Sequence, residues 1–268
     1  MDLGLTGKRC VVLGASRGIG RAIATGLAAE GALLAICGRD AESLVSAADE
    51  LRARGAPVHA ATCDVADPNA LATFLDDARA ALGGLDVLVH NASALAVAPD
   101  LAAWDASLKV DLMAAVRACE QVIPWMEAAG GGSILLVSSI SGLEVSPSPD
   151  FAYSTVKAAL IAYAKKLAIA HGAKGVRVNS IAPGSIDFPG GTWDRVKQRQ
   201  PGLYQRVCSA IPSGRMGTPT GEVGASTGHT ERGSSCPSSS STPTSARTST
   251  TSARSDSRCP RRRSTCSP

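Results

Sequence analysis

The feature that most constrains the fold of this chain is a rhythm, in which short apolar runs alternate with longer stretches of helical periodicity. Arg9–Leu13, Leu33–Cys37, Val58–Thr62, Val87–His90, Ile134–Ser138 and Val176–Ile181 carry near-continuous hydrophobicity, the pattern of strands covered on both faces. Between them, helices are expected near 19–30, 41–54, 68–82, 101–129 and 152–171. Asp67-Pro68 offers an N-cap and an N1 proline for the third, and Gly55 and Gly172 follow two helix ends. Strands joined by crossover helices predict an α/β fold, a doubly wound parallel sheet with helices on both faces.

With 268 residues and 44% hydrophobic composition, the chain suits one large domain with a buried core. No stretch approaches the length of apolar chain that crosses a membrane, and the N-terminus lacks a cationic segment leading into a long apolar run. A cytoplasmic protein with no membrane partner is expected. The eight cysteines form no C-x-x-C pair and no metal-ligand spacing; Cys10, Cys37 and Cys63 fall inside apolar runs, where cysteine packs as a small hydrophobe.

The net charge of +4 belongs to the end of the chain. Residues 1–224 carry 20 Lys and Arg against 21 Asp and Glu, whereas 225–268 carry 7 against 2. Of those last 44 residues, 22 are Ser or Thr, and none is Val, Ile, Leu, Met, Phe, Tyr or Trp, a composition unable to bury a core. A catalytic domain over 1–224 and a disordered tail over 225–268 are expected. Seven arginines without an aromatic to stack on a base argue against nucleic acid as a partner. After Ile181, Ala182-Pro183-Gly184 opens an irregular segment, about 184–217. A late excursion over the carboxyl ends of the strands is a candidate substrate lid or an ordinary surface loop.

The first strand runs into Gly14-Ala15-Ser16-Arg17-Gly18-Ile19-Gly20 and then a helix. Glycines permit a tight turn and a close approach to a pyrophosphate, and the helix N-terminus faces that anion with free N–H groups. A purely structural turn uses the same residues. At the end of the second strand stand Gly38, Arg39 and Asp40. A carboxylate accepting from a ribose is usual there in NAD-binding folds; Arg39, with Arg17 nearby, would instead pair with a 2′-phosphate, unless both are simply solvated. Asp40 reads better as the N-cap of the next helix. Asp64-Val65 either meets an adenine or closes a local turn, and Asn91 is a turn former by type and a crevice residue by position.

Tyr153 and Lys157 are four apart on a helix and share a face, behind a strand whose end carries Ser138, Ser139 and Ser141. A cation near a phenol stabilises the phenolate, so the pair predicts a tyrosine with a lowered pKa, usable as acid and base.

In this order, Gly14-Ala-Ser-Arg-Gly18-Ile-Gly20, Asp64-Val65, Asn91-Ala92, Ser139 with Gly142, Tyr153-Ser-Thr-Val-Lys157 and Asn179-Ser-Ile-Ala-Pro183-Gly184 resemble the short-chain dehydrogenase/reductase family over about residues 5–223. The resemblance implies a Rossmann-like fold and an oxidoreductase that interconverts a secondary alcohol and a ketone; Arg17 and Arg39 lead to the expectation that NADP(H) is preferred over NAD(H). It assigns Tyr153, Ser139 and Lys157 to catalysis, and Gly14, Ser16, Arg17, Gly18, Ile19, Gly20, Arg39, Asp64, Val65, Asn91, Tyr153, Lys157, Pro183 and Gly184 to the cofactor. Asp111 stands where the family usually has an asparagine that anchors a relay water, and its charge is expected to compete for Lys157 and raise the pKa of Tyr153. His90 and Ser93 also depart from the family's pattern around Asn91. These departures leave a second expectation open, a dinucleotide-binding protein that turns over poorly. The family's next helix, its seventh strand and its Val-Asp-Gly-Gly-like ending are not found in the sequence, as a shifted reading frame near 225 would produce. The expected assembly is then a homo-oligomer, a dimer rather than a tetramer.

Overall fold

The computed structural model describes residues 3–145 and 148–221; the expected tail, the expected frame shift and the family-like ending lie outside the described residues. Six strands, β1 (Arg9–Leu13), β2 (Leu33–Gly38), β3 (Val58–Thr62), β4 (Val87–His90), β5 (Gly132–Val137) and β6 (Val176–Ile181), form one parallel sheet in the order β3-β2-β1-β4-β5-β6. The helices joining them are α1 (Gly18–Ala29), α2 (Ala41–Ala53), α3 (Pro68–Leu82), α4 (Leu101–Ser107), α5 (Ala114–Ala128) and α6 (Phe151–His171).

Pleating sends alternate residues of each strand to opposite faces, and both faces are covered. Val11, Leu13, Leu88, Ile134 and Leu136 pack under α3, α5 and α6 with Leu75, Val122 and Leu160, while Cys10, Val12, Leu34, Ile36 and Val89 pack under α1 and α2 with Ile23, Leu27 and Leu51. A fully buried leucine such as Leu75 contributes about 1.5–3 kcal/mol. The three cysteines expected in the core, Cys10, Cys37 and Cys63, are all buried. Among the described residues, no helix is long and apolar enough to cross a membrane.

Two features depart from the expected elements. The single helix expected over 101–129 is interrupted by a π-helical segment, Leu108–Met113, between α4 and α5. The excursion after β6 is more ordered than an irregular lid, holding α7 (Thr192–Arg199) and α8 (Pro201–Ala210). It is closed at its base, where Asp187 N–H donates to the Gly217 carbonyl at 3.0 Å and Gly217 N–H to the Ser185 carbonyl at 2.9 Å.

Strand order reverses between β1 and β4, because β1 through β3 run outward one way and β4 returns to the other side of β1. The loops after these two strands therefore diverge, opening a crevice at the carboxyl ends of the sheet.

Candidate active site

The turn after β1 lines one wall of that crevice. Gly14 and Gly18 adopt φ of +79° and +58°, a region that favours glycine. A Cβ on Gly20 would lie 2.2 Å from the Gly14 carbonyl oxygen, so glycine there lets α1 seat directly on the turn. The Gly14 and Ala15 N–H groups donate to the Cys37 carbonyl of β2, and Asn91 Nδ2 donates to the Gly14 carbonyl at 2.8 Å. Asn91 thereby ties the end of β4 to the turn across the switch point. α1 starts at Arg17 with no side-chain cap and no acidic residue in its first turn, which leaves its N–H groups and positive dipole end for an anion.

Ser16 lies against Gly38 at the end of β2, and Arg17, Arg39 and Asp64 are exposed. Asp40 is the N-cap of α2, accepting from Ser43 N–H at 2.8 Å, so the only acid beside Arg39 in that turn is turned to its own helix. Arg39 and Asp64 border a cavity of about 360 Å³ with Thr62, Cys63 and Ala70. Asp64 accepts from Ala66 N–H at 3.1 Å, a local turn contact, and the Val65 side chain is buried in the core, which leaves its backbone for any ligand.

On the other side of the crevice, the carboxyl end of β5 leads through Ser138 and Ser139 into a tight turn, Ile140–Gly142. The Ser138 hydroxyl donates to the Lys157 carbonyl at 2.7 Å, while the Ser139 hydroxyl accepts from Ser141 N–H at 3.2 Å and lies close enough to the Tyr153 phenol to act on its pKa. A Cβ on Gly142 would meet Ala158 N and Lys157 C at 2.7 Å, so this glycine brings the turn down onto α6. The Pro183 carbonyl accepts from Ile140 N–H at 2.9 Å, holding the end of β6 to the same turn, with Gly184 exposed beyond it.

Lys157 is 2% exposed. Its Nζ donates to the Val137 carbonyl at 3.0 Å, lies 3.0 Å from Asp111 Oδ1, and sits 5.6 Å from the centre of the Tyr153 ring. Asp111 is fully buried on the π-helical segment, and its Oδ2 accepts from Ala94 N–H at 2.9 Å. Ser139, Tyr153, Lys157 and Asp111 are thus brought into one cluster, with the glycine turn and Asn91 forming the facing wall.

The expected lowering of the Tyr153 pKa is not found. Burial pushes the phenol above its ordinary value, the neighbouring Ser139 hydroxyl pulls it back, and the charges of Asp111 and Asp150 raise it further. The correction has a plain cause, since burial of the ring comes first among the influences on it and the nearby aspartates add to it. The phenol is accordingly a proton donor at neutral pH.

Two residues near the site were not anticipated as parts of it. The Phe188 ring rests on Gly18, approaching within 2.6 Å of where a Cβ would stand, so the segment after β6 reaches the glycine turn. His90, the last residue of β4, is fully buried beside Lys157 and Asp111, with its pKa lowered to about 4 first by burial and then by the Lys157 charge. An apolar strand ending in histidine was the available sign.

Residues 8–199 match the family model described as short chain dehydrogenase. The chain is 30% identical over 225 residues to isoepoxydon dehydrogenase of Penicillium expansum, spanning 81% of this chain and 85% of that protein. Among solved structures, L-sorbose reductase of Gluconobacter frateurii, in complex with NADPH and L-sorbose, aligns with a TM-score of 0.75 at 32% identity, covering 85% of this chain and 90% of that one. A 7α-hydroxysteroid dehydrogenase complexed with NADH and 7-oxo glycochenodeoxycholic acid aligns with a TM-score of 0.77 at 29% identity, covering 84% and 88%.

Proposed function

Because the chain belongs to the short-chain dehydrogenase/reductase family, an oxidoreductase family, we propose that it is an NADP(H)-dependent enzyme interconverting a secondary alcohol and a ketone, with Tyr153 as acid and base. The observation that carries this reading is the Ser139–Tyr153–Lys157 cluster at the carboxyl end of the sheet, across the crevice from an uncapped helix N-terminus.

The residues present fit a dinucleotide. Gly14, Gly18 and Gly20 let the turn pack closely against α1, the end of β4 and Phe188, α1 offers free N–H groups, and Arg17 and Arg39 supply exposed cations where an adenosine ribose would carry its 2′-phosphate. When bound, the nicotinamide supplies or takes the hydride. In ketone reduction, Tyr153 gives its hydroxyl proton to the carbonyl oxygen and Ser139 donates a hydrogen bond to the same oxygen. Lys157 would hold the nicotinamide ribose and would stabilise the phenolate left behind. In the oxidative direction the phenolate takes the alcohol proton.

NADPH stands in the sorbose reductase structure and NADH in the hydroxysteroid dehydrogenase, so the choice of NADP(H) rests on Arg17 and Arg39 of this chain. The substrate is a small or cyclic ketone, in line with the sugar and steroid ligands of those two proteins. The same reading makes the protein a cytoplasmic homo-oligomer, a dimer in preference to a tetramer. Leu101, Phe151 and Ile169 support association, being 85%, 60% and 82% exposed on α4 and α6.

The direct test is loss of absorbance at 340 nm from NADPH, and separately NADH, over a panel of cyclic, sugar-derived and acyl ketones. Turnover with NADPH preferred supports the reading; none with any ketone, in either direction, overturns it. The Asp111–Lys157 ion pair favours a second reading, a dinucleotide-binding protein with poor turnover. It would show NADPH binding by fluorescence without oxidation.

A further inference from the structure

Of the large apolar side chains exposed among the described residues, Leu95, Val97, Ile140, Leu143 and Val145 fall in the two loops that leave the carboxyl ends of β4 and β5. Single exposed hydrophobics are ordinary on any surface. The position of these five is not ordinary, because their loops flank the Ser139–Tyr153–Lys157 cluster. The first loop is tied to it by Ala94 N–H, which donates to Asp111 Oδ2 at 2.9 Å, and Asp111 pairs with Lys157. The second is tied to it by the Ile140–Gly142 turn, which lies on α6 at Lys157 and Ala158.

Leu95 carries a second sign. Its φ is +49°, and among the described residues no other non-glycine residue has a positive φ. That conformation strains a leucine and not a glycine. Hydrogen bonds hold it there, from Ala94 N–H to Asp111 and from Leu95 N–H to Ser93 Oγ at 3.1 Å. The side chain is nevertheless 48% exposed, so core packing does not account for a leucine at this place. Backbone strain of this kind collects at ligand clamps.

The polar side chains of the same loops are turned to the protein itself. Asn91 donates to the Gly14 carbonyl, Ser93 accepts from Leu95 N–H, Asp100 caps α4, and Ser138 donates to the Lys157 carbonyl. Residues 91–100 and 138–150 contain no lysine, arginine, histidine or glutamine; their other charges are Glu144, which is exposed, and Asp150, which is buried at the start of α6. A site built for a polyol needs several convergent donors and acceptors.

Resting on the reading of Tyr153 above, we propose that Leu95 is a specificity-determining residue, and that with Val97, Leu143 and Val145 it selects a ketone whose bulk is hydrocarbon over one that is polyhydroxylated. The occupant of this apolar rim is the substrate, because both loops meet the protein at the group that receives the carbonyl oxygen. An apolar ring seated there leaves water together with the rim. A sugar would give up hydrogen bonds to water that these loops do not replace.

The test compares 4-tert-butylcyclohexanone, L-sorbose and acetone with NADPH. In the parent, kcat/KM for the cyclohexanone should exceed that for L-sorbose by about 100-fold or more. Leu95→Gly suits a positive φ and removes the side chain. It should lower the cyclohexanone-to-acetone ratio of kcat/KM about tenfold, mainly through KM, with the melting temperature within about 3 °C of the parent. Leu143→Asn, at a second exposed position, should lower the same ratio about threefold or more. Calorimetric binding of the cyclohexanone with NADP⁺ present, where no reduction can follow, should weaken by similar factors, and all three proteins should elute alike on size exclusion.

A parent that favours L-sorbose, one that neither binds nor reduces the cyclohexanone, or an unchanged ratio and affinity in Leu95→Gly overturns the proposal. So does a larger fall in the melting temperature of Leu95→Gly, which would make the leucine a packing residue. A changed oligomeric state in Leu143→Asn also overturns it and makes the rim an interface between copies. If no ketone turns over but both substitutions weaken binding of the cyclohexanone, the redox reading falls and the apolar selectivity stands; turnover led by L-sorbose gives the reverse.

Discussion

Lys157 Nζ and Asp111 Oδ1 lie 3.0 Å apart with their side chains 2% and 0% exposed, so the cation beside the reactive tyrosine is shared with an anion sealed in the core. Such a pair is costly to half-remove, because the remaining charge stays desolvated. Asp111→Asn is therefore expected to destabilise the protein by about 3–5 kcal/mol, read by denaturant unfolding. Its effect on chemistry runs the other way. An anion near a phenol favours the protonated form, and removing it lowers the Tyr153 pKa, so the pH dependence of alcohol oxidation should move to lower pH. An unchanged profile would show that Asp111 does not act on the tyrosine.

With Tyr153 raised above its ordinary value, ketone reduction should be nearly flat across neutral pH and alcohol oxidation should climb as pH rises. Tyr153→Phe keeps the ring and deletes the transferable proton. Turnover is expected to fall by about 10² to 10⁴ while NADPH affinity changes little. Activity within tenfold of the parent would remove Tyr153 from the mechanism.

Arg39 is exposed, and the neighbouring acid Asp40 is engaged in capping α2. Arg39→Asp replaces a partner for a 2′-phosphate with a repelling carboxylate that can accept from ribose hydroxyls. KM for NADPH should rise about 10- to 100-fold and that for NADH should fall or hold, with kcat nearly unchanged. Steady-state kinetics with both cofactors checks this, and parallel changes for the two would discredit the arginine.

His90 gives stability an acid limb. Its folded pKa, about 4, lies below that of an exposed histidine near 6.5, so the unfolded chain binds more protons as pH falls between them. Its contribution is complete above about 6.5 and is lost toward 4, amounting to a few kcal/mol at most. Carboxylates such as Asp86 and Glu50, held low by arginines, lose stability at still lower pH. Melting temperatures from pH 7 to 4.5 should fall less steeply in His90→Asn than in the parent, and parallel curves would contradict the buried neutral imidazole.

The six strands and the caps of α2 and α3 were legible because local chemistry carries them. Unbroken apolar runs mark parallel strands, and Asp40 and Asp67 bond the first N–H groups of the helices that follow. The glycine turn and the Tyr153–Lys157 spacing were legible for the same reason. The Tyr153 shift was legible only in part: the raising effect of Asp111 could be read from the chain, but the larger cause, how deeply the ring is buried, could not. α7 and α8 escaped notice among glycines and prolines, although Pro201 at the start of α8 was a usable signal. The π-helical segment has no local signature either, since Leu108-Lys-Val-Asp-Leu-Met reads as ordinary helix.

That segment is a slip in phase. One extra residue per wide turn rotates everything downstream by about 100° relative to a continuous α-helix. α4 can then turn Ala103 and Ser107 inward toward α6 while α5 turns Ala115, Ala118 and Val122 toward the sheet and α3, two faces that one straight helix would not present together. Deleting a single residue between 108 and 113 would heal the backbone ladder and so look harmless by helix propensity. It would also swing either α4 or α5 by more than a quarter turn, carrying Asp111 away from Lys157 or the apolar face of α5 out of the core. For redesign or alignment, residues 101–128 are two helices that differ in register across the π-helical segment.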